Sequence, residues 1–228
     1  MDDTLLDTSG GVSEAWRLTT ETFAPGLGVE AEVLARAIRE TMVEFWKDES
    51  AVEHWRTRLH DARVYNVEQT LMAQQLDVTH AQAIADTYWD AQSSRMKLFD
   101  DSVATLGRLR DEGYRIGLIT NGPAEMQRWK IDRFELERHF DVIVIEGEFG
   151  HGKPHPGVFQ HAMASVGSNG AESLHIGDNL YADVGGAKRA GMRAAWIHRD
   201  RLEMKETPEL APDRVFANLG DLLADLGL

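Results

Sequence analysis

The spacing of apolar residues changes period near residue 100, and that change limits the folds open to this chain. From about Val12 to Leu98 apolar side chains recur every three or four residues, the period of a buried helix face. The clearest stretch predicts one stripe from Val33, Leu34, Ala37, Ile38, Met42, Phe45 and Trp46. Helical spacing also covers Val67–Leu76 and Ala81–Met96, with no competing strand pattern. Beyond Asp101 short apolar runs alternate with helical stretches. A helix carrying Val103, Leu106 and Leu109 ends at Gly113, and the run Ile116–Ile119 stops at Thr120-Asn121-Gly122-Pro123. Then come a helix over Ala124–Leu136, a strand over Val142–Ile145 and a helix from Pro156. A strand over Leu174–Ile176, a helix ending at Gly191, a strand over Arg193–Ile197 and a closing helix complete the pattern. Strand–helix alternation predicts the α/β class, with right-handed crossovers and a parallel sheet covered on both faces. The helical block then reads as an insert: residues 1–11 and 99–228 form the core, and residues 12–98 the helical domain.

Composition narrows the function classes. The 228 residues are 43% hydrophobic and 27% charged, enough apolar material for one sizeable core and too much for disorder. With no cysteine, disulfide scaffolds, thiolate zinc sites, iron–sulfur clusters and cysteine nucleophiles are all excluded. A net charge of −14, with scattered basic residues, argues against nucleic acid or anionic lipid as a partner. No apolar run is long enough to span a membrane, and the opening MDDTLLDT is acidic where a secretion signal is basic then apolar. The expectation is a soluble cytoplasmic protein.

In an open parallel sheet, ligands gather beyond the carboxyl ends of the strands. Those ends carry Thr120-Asn121-Gly122, the loop 146–153 and Asp178, with Asp183 close behind. Asp178 at a strand end and Asp183 in the first turn of the next helix can reach one point, and paired hard oxygen donors suit Mg²⁺. Either aspartate alone would read as a partner of the helix N-terminus. Thr120 with exposed backbone N–H groups at Asn121 and Gly122 could cradle an anion, although Asn-Gly and Gly-Pro are also ordinary turn dipeptides. Lys153, extended before Pro154, could turn its ammonium across the strand ends toward a phosphate. The run Gly147–Lys153 has the spacing of a nucleotide-binding loop, but Pro154 stands where Ser or Thr is needed for Mg²⁺ and blocks a helix start, so that reading is rejected. His151 and His155 are split by helix-breaking Gly152 and Pro154, and His175 reads as a packed core residue. Trp16 and Trp46 read as core residues first and pocket residues second.

These stations in order, Asp2-Asp-Thr4-Leu, Thr120-Asn-Gly, Lys153-Pro and Gly177-Asp178 with Asp183, resemble the haloacid dehalogenase superfamily. The resemblance is to its phosphatases with a helical cap inserted after the first motif, and it spans essentially the whole chain. The stretch Leu174–Trp196 is especially family-like. It implies a Rossmann-like parallel sheet with a mobile cap, acting on a small phosphorylated metabolite through an aspartyl-phosphate. It implies Asp2 as acid/base, Thr4 as the motif threonine, and Thr120 with the Asn121 and Gly122 backbone on the phosphoryl oxygens. Lys153 would neutralise charge, while Asp178 and the Asp2 carbonyl would hold Mg²⁺ with support from Asp183. Thr120-Asn-Gly is similar to nucleotidase and acylneuraminate-phosphatase members.

One departure from the family bears on activity. The family nucleophile stands two residues before Asp2, and only Met1 precedes Asp2 here. Methionine fits between the two aspartates, so Met1 reads as an internal methionine of a longer product. The expectation is that the chain as written lacks the nucleophile and the apolar central strand carrying it, and is inactive or nearly so. The acidic pair Asp178/Asp183 argues against 2-haloacid dehalogenase activity, which uses no metal. A sugar-phosphate mutase and a non-catalytic binder of a phosphorylated ligand or protein are the alternatives.

Overall fold

A computed structural model describes residues 1–199 and 210–228. The chain divides into two compact units, residues 1–6 with 98–228 and residues 7–97. Two short strands, β1 (Leu6–Asp7) and β2 (Lys97–Leu98), pair with each other where the chain passes from one unit to the other.

The helical unit contains α1 (Val12–Leu27), α2 (Ala31–Phe45), α3 (Glu49–Trp55), α4 (Leu59–Ala73) and α5 (Ala81–Arg95). Its core gathers Ala15, Trp16 and Ala24 from α1, Leu34 and Ile38 from α2, Val67 and Leu71 from α4, and Ala81, Ile84 and Tyr88 from α5. The stripe on α2 differs from the expectation at Val33, which is exposed, because the buried face is centred on Leu34, Ala35 and Ile38. Trp16 is a core residue, stacked on Tyr88 with ring centroids 4.0 Å apart. Trp46 is half-buried and meets Phe45 edge-on at 4.9 Å. Helix α4 begins eight residues before Val67 and buries Arg63 and Asn66 alongside its apolar residues. The Arg63 guanidinium lies 4.9 Å over the Tyr88 ring, an electrostatic substitute for lost water.

In the second unit, β3 (Gly117–Thr120) runs parallel to β4 (Val142–Ile145), with Leu118 opposite Ile143 and Ile119 opposite Val144. Strands β5 (Leu174–Gly177), β6 (Arg193–Ile197) and β7 (Arg214–Phe216) form a second parallel group in that order. Strand β7 replaces part of what the pattern predicted as a purely helical end. The helices are α6 (Ser102–Asp111), α7 (Ala124–Arg133), the short α8 (Glu146–Phe149), α9 (Pro156–Val166), α10 (Gly186–Arg189) and α11 (Leu219–Leu226). The two-residue alternation of strand side chains sorts the core into opposite faces. Leu118 and Ile145 pack with Leu106 of α6, Ile131 of α7 and Leu219 of α11. Ile119 and Val144 pack with Val158, Phe159 and Ala162 of α9 and Ala187 of α10.

The fold is therefore the expected parallel α/β architecture, but its sheet is in two pieces. Among the described residues β3 pairs only with β4, and β5 only with β6. Residues of β3 and β5 line a cavity of about 640 Å³, together with Met1, Leu5 and residues of α6, α9 and α11.

The Trp16–Tyr88 stack lies inside the helical core. Trp16→Ala should cost about 3–5 kcal/mol of stability, the range for truncating a buried aromatic. Denaturant unfolding followed by helical circular dichroism would measure it, and a loss below about 1 kcal/mol would contradict a core role.

Candidate functional site

The carboxyl ends of β3 and β5 carry the polar residues of the second unit. Strand β3 ends at Thr120, which is buried, and its hydroxyl accepts from Gln127 Nε2 at 2.9 Å. The chain then turns through Asn121 and Gly122 into α7. Gly122 has φ +118°, a conformation that favours glycine, and its N–H donates to the Glu146 carboxylate at 2.9 Å. Asn121 does not face a ligand with its side chain. Its amide donates to the Lys153 carbonyl and accepts from the Lys153 N–H, both at 2.7 Å, so it fixes the backbone that carries Lys153. The expected anion cradle is thus differently built: the Gly122 N–H and the Asn121 side chain are both engaged within the protein.

Lys153 reaches under the strand ends and places Nζ 2.6 Å from Asp183 Oδ1. Both residues are buried. His175 Nε2 lies 2.8 Å from the same Asp183 oxygen, and the Asn179 N–H donates to Oδ2 at 3.0 Å. Burial alone would push the Asp183 carboxyl up, but Lys153 and His175 outweigh it and hold the group well below the usual carboxylate range. Burial, opposed by the hydrogen bond to Asp183 and by its charge, pushes His175 down. Gly177 makes this packing possible. A Cβ there would lie 2.2 Å from the Asp183 carboxyl carbon.

Asp178 follows directly. Its Oδ1 accepts from the Thr4 hydroxyl at 3.0 Å, and its carbonyl accepts from Trp196 Nε1 at 2.7 Å. Partial burial and the neighbouring Asp183 carboxylate push the Asp178 carboxyl upward, although the residue keeps an exposed face. Asp2 is half-buried. Lys130 Nζ lies 2.9 Å from both its carboxylate oxygens, and Gln127 Nε2 donates to Oδ2 at 3.1 Å. Burial acts to raise the Asp2 carboxyl, and Lys130 with its hydrogen bonds turns the net shift downward.

The second unit thus holds three bonded groups at these strand ends: Asp2 and Thr120 through Gln127, Lys153 with Asp183, and Asp178 with Thr4. Sequence reasoning missed Gln127 and Lys130, which face inward from α7 one turn apart, and the bond from His175 to Asp183. The signal was faint: both α7 residues are buried polar groups on the face that also buries Ile131.

The donor set bears on Mg²⁺. Among the described residues no three His, Asp or Glu side chains converge as a metal cluster. Asp183 spends its oxygens on Lys153, His175 and Asn179, so its place is behind the site. Asp178, disfavoured as a bare anion and open on one face, suits a hard cation that keeps most of its waters and takes one or two carboxylates.

A model of haloacid dehalogenase-like hydrolases matches residues 1–191. The chain belongs to that family. It is 37% identical over 142 residues to the phosphoserine phosphatase of Thermus thermophilus, covering 62% of this chain and 55% of that protein. The chain thus spans little more than half the length of that relative. It is 28% identical over 217 residues to the N-acylneuraminate-9-phosphatase of Mus musculus, covering 91% of this chain and 84% of that protein. Among solved structures, a haloacid dehalogenase-family phosphatase from Thermococcus onnurineus aligns over 100% of this chain and 95% of that one, at TM-score 0.67 and 26% identity. A 2-haloacid dehalogenase from Pseudomonas syringae aligns over the same shares at TM-score 0.65 and 28% identity.

Removing the Asp183 charge leaves Lys153 buried without its counter-ion. Asp183→Asn should cost about 3–5 kcal/mol at pH 7, the range for breaking a buried pair from one side. The folded carboxyl is depressed, so its contribution is present above the unfolded value of about 3.9 and is lost as pH falls through the folded value. The gap between wild type and variant in denaturant unfolding should therefore narrow below about pH 4. A gap unchanged between pH 7 and pH 3 would contradict the pairing.

Proposed function

We propose that this chain is a Mg²⁺-dependent hydrolase of a small phosphate monoester, working through an aspartyl-phosphate. The observation that carries the reading is the charge arrangement at the strand ends: Lys153 paired with Asp183, which also bonds His175, and Asp178 bound to Thr4. A phosphoryl group arriving there brings more negative charge to a site already holding two carboxylates. It needs cationic groups fixed in advance, because preorganised charge stabilises a transition state without reorganising.

Each residue then has a task. Lys153 offsets charge on the phosphoryl oxygens, held in place because Asp183 orients Nζ and Asn121 fixes its backbone. The Thr120 hydroxyl, which accepts from Gln127, retains its own proton to donate to a phosphoryl oxygen. Asp178, aligned by Thr4 and by the Trp196 bond to its carbonyl, would hold Mg²⁺ with the Asp2 carbonyl. When bound, that cation supplies charge neutralisation at the phosphoryl oxygens. The nucleophilic carboxylate of this mechanism stands two residues before Asp2. Asp2 gives a proton to the departing ester oxygen, then takes one from the water that attacks the acyl phosphate. For the first step it must gain a proton and leave Lys130, so the observed pairing is its resting arrangement.

The relatives support a small phosphorylated substrate, since the two described above are phosphatases by name. The dehalogenase likeness favours a second reading, attack on a carbon–halogen bond without metal. The carboxylate of Asp178 beside a lysine–aspartate pair argues for the first. Asp178→Asn, in protein carrying the upstream aspartate, should remove phosphatase turnover by about two orders of magnitude or more while the melting temperature holds. Magnesium titration of phosphate release checks it. Turnover by the variant at the parent rate in chelator would remove the metal assignment, and chloride release from 2-chloropropionate would favour the second reading.

A further inference from the structure

The turn that carries Asp2 and Thr4 is clamped by residues far from it in sequence. Asp3, between them, has φ +49°, a left-handed conformation that costs a residue with a side chain and persists where its surroundings impose it. Two carbonyls just beyond Asp3 are bonded to distant parts of the second unit. The Leu5 carbonyl accepts from the Ser102 hydroxyl at 2.8 Å and from the Phe99 N–H at 3.0 Å. The Thr4 carbonyl accepts from Arg199 Nη2 at 2.8 Å. Arg199, two residues past β6, is itself held firmly. The Asp101 carboxylate accepts from Nη2 at 3.0 Å and from Nη1 at 3.3 Å, and the guanidinium carbon lies 3.7 Å from the centre of the Phe99 ring. Asp101 in turn accepts from the N–H of Leu219, the first residue of α11, at 2.6 Å. The Arg199 and Asp101 side chains are only 14% and 21% exposed, so this pair is not a screened surface contact.

Thr4 is the joint between this clamp and the candidate site. Its carbonyl is on Arg199, and its hydroxyl is on Asp178 Oδ1 at 3.0 Å. We propose that Arg199 is a positioning residue for the cation site: by holding the Thr4 carbonyl it sets the Thr4 hydroxyl against Asp178, and Asp101 acts by orienting Arg199. The cation belongs to the phosphatase reading, so the role of Arg199 rests on that reading. Arg199 touches neither substrate nor cation in this role. The planar fork is needed because one guanidinium spans a carbonyl and both oxygens of a carboxylate, which a lysine ammonium on a flexible stem does not reproduce. Loss of the clamp falls on cation affinity, since the residues that orient a metal ligand tune how tightly the metal is held. Binding of the ester does not pass through Thr4 and is spared.

The test uses protein carrying the upstream aspartate, with Mn²⁺ as the probe and free Mn²⁺ read by electron spin resonance in the absence of substrate. Arg199→Met should weaken Mn²⁺ binding about tenfold or more, and Arg199→Lys by less. Phosphate release by Arg199→Met should need correspondingly more Mg²⁺, with kcat recovered at saturating Mg²⁺ and KM for the ester within about twofold of the parent. Asp101→Asn keeps an acceptor for the Leu219 N–H, so it should weaken Mn²⁺ binding without unfolding the chain. The double variant should bind Mn²⁺ no more weakly than Arg199→Met alone, the non-additivity of residues acting through one contact. Parent affinity in folded Arg199→Met overturns this proposal alone, and so do losses that add in the double variant. Should Arg199→Met fail to fold, parent affinity in both Arg199→Lys and Asp101→Asn overturns it. A parent that binds no Mn²⁺ overturns the metal reading and this proposal together.

Discussion

The buried ion pair between Lys153 and Asp183 is the interaction on which the site depends. Two opposite charges taken out of water are costly unless their geometry is good and their remaining hydrogen-bonding capacity is met. Here Asp183 is nearly saturated: Lys153 and His175 share one oxygen and the Asn179 N–H takes the other. The pair also ties three separate parts of the chain together. Lys153 comes from the loop after α8, His175 from β5, and Asp183 from the turn after Asp178. Gly177 must lack a side chain for the carboxyl to seat, and Asn121 locks the Lys153 backbone from the end of β3. The Lys153 ammonium, proposed as the catalytic cation, is thus fixed from both its side chain and its backbone.

Around that pair the charges are arranged in two further couples. Asp2 lies on Lys130 and Gln127, and Asp178 lies on Thr4 with a raised carboxyl. The two aspartates are pushed in opposite directions by their surroundings, one held as an anion by a buried lysine, the other short of positive charge. That difference fits the different tasks proposed for them, cation binding for Asp178 and proton exchange for Asp2. Gln127 bridges Asp2 and Thr120, so the two residues proposed as acid/base and phosphate contact share one bonding partner.

Much of this was legible in the residues. The period change near residue 100, the strand-end positions of Thr120 and Asp178 and the Lys153-Pro154 step are local patterns, and local patterns survive folding. What was not legible depended on distant partners. Nothing in the chain from Ala124 to Arg133 shows that Gln127 and Lys130 meet Asp2, 125 and 128 positions away. Asn121 had the right residue type for a ligand contact, yet it bonds Lys153, 32 positions on. His175 reads as core by its strand position, and it is largely buried, but the bond to Asp183 gives that burial a purpose. Val33 was placed on the wrong side of its helix because spacing alone locates a stripe only to within about one residue.

On the proposed function, these residues serve an attacking aspartate two positions before Asp2. The direct measurement is Mg²⁺-dependent phosphate release by protein extended upstream with an apolar strand, ending in Asp or in Asn at that position. The account predicts turnover by the Asp form and a loss of several orders of magnitude in the Asn form, as for removal of a nucleophile from a cooperating set. Equal rates for the two forms, at the same fold stability, would contradict it.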